Sequence, residues 1–209
     1  GTLFLIFISE IPPKSGFHHF QWIRTTRNRW VYGCALYCCF MVIVMLLSLT
    51  FVSCLSFSGH LQWSTQWSDT LRIADGIPES MSIIPSEIRS RFAPINAYFA
   101  FVLLTGSYWL FMALIVMLTG YLRNAQLGLS IAMLFQLLPW ITNTFTRLEE
   151  STWFPVYYSD IFMLKYATSG VETFWQCAVA FFMANVLLVI MMRLCIRKSP
   201  LFADSTYRQ

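Results

Sequence analysis

Charge disappears from this chain in four long windows. Trp30 to Ser68 contains no Asp, Glu, Lys or Arg, and its apolar part ends near Phe57. Phe92 to Leu122, Asn124 to Thr146 and Thr173 to Met192 are free of charge as well. Each window reaches the roughly 20 residues that a hydrocarbon core about 30 Å thick requires of a helix. The pattern predicts an all-α integral membrane fold with four visible spans, near 31–57, 96–121, 125–145 and 173–193.

The segments between the windows are unequal. Residues 122–124 leave room only for a tight turn. Loops of about 59–95 and 146–172 are long, rich in aromatic residues and interrupted by Pro78, Pro85 and Pro155. Trp63 and Trp67 suit anchoring at a membrane interface. Pro139, followed by Trp140, is expected to bend the third helix near its outer end. No repeat, low-complexity tract or flexible linker divides the chain, so it reads as a single membrane domain over 1–209.

Composition agrees with the pattern. Hydrophobic residues make up 57% and charged residues 11%; soluble chains average about 45–50% and about 25%. A globular chain of this size could not hide that apolar surface and still coat itself with charge.

The few charges are distributed by side. Residues 10–30, 122–124 and 194–209, with Arg193 at the end of the last span, carry nine cations against Glu10 and Asp204. The long loops and their flanks carry Arg72, Arg89, Arg91, Arg147 and Lys165 against eight acids. The net charges of the two sides are +7 and −3, consistent with the total of +4. Lysine and arginine mark the cytoplasmic face. The expected location is therefore the cytoplasmic membrane, multi-pass, with both ends of the segment inside and 194–209 as a cytoplasmic tail. Arg24, Arg27 and Arg29 stand at the start of the first span. A helix N-terminus already carries partial positive charge, so cations there are unfavourable unless an anion outside the helix compensates them. They read as topological signals and ligands for lipid phosphate.

The apolar start "TLFLIFIS" is too short to span a bilayer, and lacks the charged start and cleavage site of a signal peptide. It is expected to be the end of an earlier helix in a longer chain, with a short interfacial helix of a complete protein as the alternative.

The inventory for chemistry is poor. There is no H-E-x-x-H, G-x-S-x-G or Walker loop. His18 and His19 read as a solvated pair in a basic segment, because no further ligand stands at metal spacing. The six cysteines lie in or beside apolar runs without C-x-x-C spacing, and read as small hydrophobes. No charged residue lies inside a span, which argues against an ion-coupled carrier. No enzyme, cofactor, metal or nucleic-acid partner is expected. Gln136 and Asn185 are the polar residues within spans most worth attention, as packing groups or as contacts along a path. Gly120 and Gly128 offer close helix approach beside the tight turn.

The stretch "FQWIRTTRNRWVYGCALYCCFMVIVMLLSL" resembles the (I)R-t-g-S-R-x-x-W stretch and following long apolar helix of bacterial ABC-2 type permeases, the membrane subunits of ATP-binding-cassette exporters. Ile23, Arg24, Arg27 and Trp30 carry the match; Thr26 and Asn28 depart from the commoner small or basic residues. In motif the resemblance covers about ten residues, and in order of spans nearly the whole chain.

It implies that the four windows are the last four of a six-helix bundle. Residues 1–30 would then hold the end of an earlier helix and a cytoplasmic coupling segment. Phe17, Phe20 and Ile23 would form one face of a short helix there, set in a groove of the ATPase or in the lipid interface, with Arg24, Arg27 and Asn28 on another, and Trp30 would follow. Implied partners are a separate ATP-binding subunit, a second permease copy or homologous permease, and the lipid bilayer. The implied function is export of an amphipathic or apolar substrate. The alternative from the residues alone is a multi-span accessory, immunity or assembly protein that transports nothing.

Overall fold

The computed structural model describes residues 27–56, 66, 92–122, 125–146, 155, 159 and 171–198. Four helices follow one another, and no strand occurs among the described residues. They are α1 (Arg27–Ser56), α2 (Pro94–Leu122), α3 (Ala125–Thr146) and α4 (Val171–Lys198). The fold is all-α. Helices α1, α2 and α4 are long and apolar enough to cross a membrane. The apolar stretch of α3, Gln126–Leu138, is shorter.

The helix ends differ from the charge-free windows for physical reasons. Helix α1 starts at Arg27, before the expected 31, so Arg27 and Arg29 lie in its first turn. Helix α4 runs to Lys198, past the expected 193, and takes in Arg193 and Arg197. Cations are favourable at that C-terminal end. At 1.5 Å per residue, 28 to 30 residues extend beyond a core about 30 Å thick. A charge-free window therefore marks the apolar middle of such a helix, not its ends. Helix α2 starts at Pro94, two residues early, where proline needs no backbone donor. The Ala93 carbonyl accepts the first helical bond, from the Ala97 N–H at 3.0 Å. Helix α3 continues through Pro139 as one element.

The chain divides into two compact units. The first holds Gly1–Met45, Trp109–Leu138 and Phe182–Gln209; the second holds Leu46–Tyr108 and Pro139–Phe181.

In the first unit, α2 is buried on nearly every side. Met112, Ala113, Leu114, Val116, Met117 and Leu118 are all buried. Helix α1 contributes one stripe, Val31, Cys34, Cys38 and Val42, at helical spacing. Here Cys34 and Cys38 fill space as small apolar side chains. In the second unit, α2 buries a single stripe of Ala97, Ala100, Leu104 and Tyr108.

Several serine and threonine hydroxyls within the helices are satisfied locally. Thr50, Ser56, Thr119 and Ser130 each donate to the carbonyl four residues back, at 2.8–2.9 Å. This back-bonding suits side chains that face an apolar medium, where an unpaired polar group is costly.

Candidate functional site

Helix α3 packs against α2 in the first unit. Gly128 lies so close to α2 that a Cβ there would collide with the Thr119 hydroxyl. It would also stand 3.0 Å from the Val116 Cα and carbonyl oxygen. Thr119 Oγ1 is tied back to its own helix, at 2.8 Å from the Ile115 carbonyl and 3.0 Å from that of Val116. One turn after Gly128, Ala132 is fully buried. Small residues four apart let two helix backbones approach closely. Of the two glycines expected to serve this approach, Gly128 does so directly.

A polar cluster joins α1 to α2 beside this contact. Trp30 Nε1 donates a hydrogen bond to the Tyr121 hydroxyl, and Cys34 Sγ lies 3.2 Å from the same oxygen. Trp30 and Cys34 stand at i and i+4 on α1, so both reach one point on the neighbouring helix. The indole N–H and the phenol are thereby satisfied.

The end of α4 meets the start of α1. Arg193 Nε donates to Asn28 Oδ1 at 3.1 Å. Arg29 is exposed, Arg193 is half-buried, and no carboxylate pairs with either among the described residues. The first turn of α1 contains no acidic residue. Four residues beyond Arg29, Gly33 is exposed, and a Cβ there would meet nothing within 4 Å. Glycine inside a helix costs roughly 0.5–1 kcal/mol relative to alanine. Packing among the described residues gives no reason for that cost, in contrast to Gly128.

The second unit holds an aromatic site. Tyr108 is 2% exposed, and the Phe181 ring meets it edge to face at 6.1 Å. Its hydroxyl is buried and has no hydrogen-bond partner among the described residues. One turn earlier, Thr105 Oγ1 donates to the Ser159 carbonyl at 3.0 Å. The Thr50 and Tyr98 hydroxyls bond to each other. Phe174 sits between Phe92 and Trp175, with centroid distances of 6.3 and 5.1 Å.

The residues singled out from the sequence fare differently. Phe17, Phe20, Ile23 and Arg24 lie outside the described residues, as do the loop tryptophans Trp63 and Trp67. Arg27 opens α1. Trp30 is held against α2 through Tyr121. Gln136 is half-buried on α3. Asn185 is buried in the α4 stripe of Phe174, Cys177, Phe181 and Met192, a position that fits a packing role. Sequence reasoning missed Tyr108, Tyr121 and the Arg193–Asn28 contact. Partners 87 to 165 residues apart leave no local signal. Comparison with family models, curated proteins and solved structures gives no match.

Proposed function

We propose that this chain is a membrane-embedded permease subunit of an ATP-driven exporter, with all four helices as spans. It performs no covalent chemistry, and a separate ATP-binding subunit supplies the energy. Helix α3, at 22 residues and about 33 Å, is long enough to cross a core of about 30 Å as the fourth span.

The observation that carries the reading is the order of elements after the Ile23–Trp30 segment. A long apolar helix comes first, then two helices joined across residues 123–124 and packed at Gly128. A last helix follows, whose basic end returns to Asn28 in the first turn of α1. An even number of spans brings the two basic ends to one face, which the positive-inside rule makes cytoplasmic. The segment before α1 then stands where an ATPase would reach it. The unpartnered Tyr108 hydroxyl supports the reading less directly. It offers a neutral hydrogen-bonding group in an aromatic setting, suited to an amphipathic cargo.

The test is affinity capture from host membranes in mild detergent, comparing the wild type with an Arg24→Glu/Arg27→Glu variant of unchanged membrane insertion. The wild type is expected to recover a subunit that hydrolyses ATP, and the variant to lose it. Intact, correctly inserted wild-type protein that recovers no ATPase would overturn the reading in favour of a non-transporting accessory protein.

A further inference from the structure

We infer that the connection between α3 and α4 is a membrane-inserted plug. At Ser159 it reaches the hydrocarbon interior and is pinned there to Thr105 of α2, which keeps water out of the second unit. This goes beyond the permease reading and requires only that α2 spans the membrane.

Depth is the first argument. Tyr108 is the middle residue of α2, and Thr105 stands about 4.5 Å from it along the axis. The hydrocarbon core extends about 15 Å to either side of its own middle, so Thr105 lies inside it for any placement in which α2 spans it. Thr105 Oγ1 donates to the Ser159 carbonyl at 3.0 Å, which puts the chain at Ser159 at the same depth. Ser159 belongs to a bend and not to a helix, and it is 6% exposed. Lipid offers an irregular backbone no hydrogen bonds, so such a backbone enters a membrane only where protein or water meets its polar groups. Thr105 meets one of them. The threonine's choice of partner is informative. Thr50, Thr119 and Ser130 donate to the carbonyl four residues back in their own helices, whereas Thr105 donates across 54 positions.

Length is the second argument. Helix α3 ends at Thr146 and α4 starts at Val171, which leaves residues 147–170 to join them. Connections between neighbouring helices of a bundle commonly take about two to eight residues. Ser159 stands at the middle of this connection. A leg of about a dozen residues on each side reaches up to about 40 Å, enough to descend into the membrane and return. The surroundings decide between a plug and a wet cavity. Leu104 and Tyr108, to either side of Thr105 along α2, are buried, and the Phe181 ring closes on Tyr108 at 6.1 Å. All of these residues belong to the second unit. The pin therefore stands over a packed apolar floor, and burial of Ser159 itself leaves water no place beside it.

The test uses the full chain reconstituted in liposomes, with a membrane-impermeant maleimide on both faces. The wild type reports the background of the six native cysteines. Gln66→Cys, at an exposed position between α1 and α2, is expected to label rapidly above that background. Ser159→Cys should label no faster than the background until the protein is unfolded in dodecyl sulfate. Its backbone carbonyl, and so the bond from Thr105, is retained in that variant. Adding Thr105→Val removes the donor and should raise labelling at position 159 about fivefold, the population shift that one net hydrogen bond supports. Adding Ser130→Ala instead, which deletes a hydroxyl bonded within its own helix, should leave labelling unchanged.

Labelling of Ser159→Cys as fast as that of Gln66→Cys would overturn the plug, whether the cause were a surface loop or a water-filled cavity. Thr105→Val without effect on labelling would overturn the pin. If the cysteine variants fail to fold, hydrogen–deuterium exchange of the wild-type chain in nanodiscs decides the question. The peptide containing Ser159 is expected to exchange far more slowly than the one containing Gln66, and equal rates would overturn the proposal.

Discussion

Helices α1 and α2 differ by one residue in length and are both apolar over most of it, yet they live in opposite surroundings. In the most apolar 18 residues of each, 44% of α2 is buried within the protein and only 11% of α1. Water would not tolerate an α1 that exposes Leu36, Phe40, Leu47 and Phe51. In a bilayer the exposed face costs nothing, because lipid tails are as apolar as leucine. Hydrophobicity therefore does not choose which helix is central. Close packing and a few polar contacts do. The glycines repeat the contrast: Gly128 is pressed against α2, and Gly33 on α1 faces open space.

The comparison breaks most visibly at those glycines. Gly128→Leu drives a side chain into Thr119 and the Val116 backbone, and should cost about 3 kcal/mol or more. Gly33→Leu should leave stability near that of the wild type. Thermal unfolding in detergent measures both, and equal losses would contradict the asymmetry between the helices. A truncation pair comes next. Met112→Ala in the buried part of α2 should cost about 2–3 kcal/mol through the cavity it leaves. Leu36→Ala should stay within about 0.5 kcal/mol. Reversible unfolding in mixed micelles resolves that difference, and a Leu36→Ala loss as large as that of Met112→Ala would place α1 inside a larger protein interface.

Smaller effects come from two tyrosines on α2. Tyr121→Phe removes the acceptor of Trp30 and the neighbour of Cys34, and should cost about 1–2 kcal/mol, read by tryptophan fluorescence and melting temperature. Tyr108→Phe removes a hydroxyl with no partner. It should be neutral or stabilise by up to about 1 kcal/mol. Under the export reading the same change should lower transport in reconstituted vesicles. A stable Tyr108→Phe variant with full transport would remove that hydroxyl from the path.

Much of the secondary structure was legible because an apolar medium leaves the backbone few options. A run of about 20 uncharged residues that must satisfy its own N–H and C=O groups becomes a helix. Helix ends were less legible, because helices continue past the hydrocarbon, as α1 does at Arg27 and α4 does at Lys198. Of the candidate site, Trp30 and Gly128 were visible as residues of interest. Tyr121 and Asn28, which give the contacts of Trp30 and Arg193 their meaning, were not. Nothing local links Trp30 to a tyrosine 91 positions later or Asn28 to an arginine 165 later.

The sequence by itself determined the class of structure: an all-α chain, with long apolar helices and charge confined to their ends and connections. It did so because the cost of an unpaired backbone group or a charge in hydrocarbon is large and local. Tertiary structure decided which apolar face is buried, which glycine is compressed, which tyrosine is satisfied and that Arg193 meets Asn28. Each of those outcomes depends on a second helix brought alongside, and the energies that select it are small differences among nearly equivalent apolar surfaces.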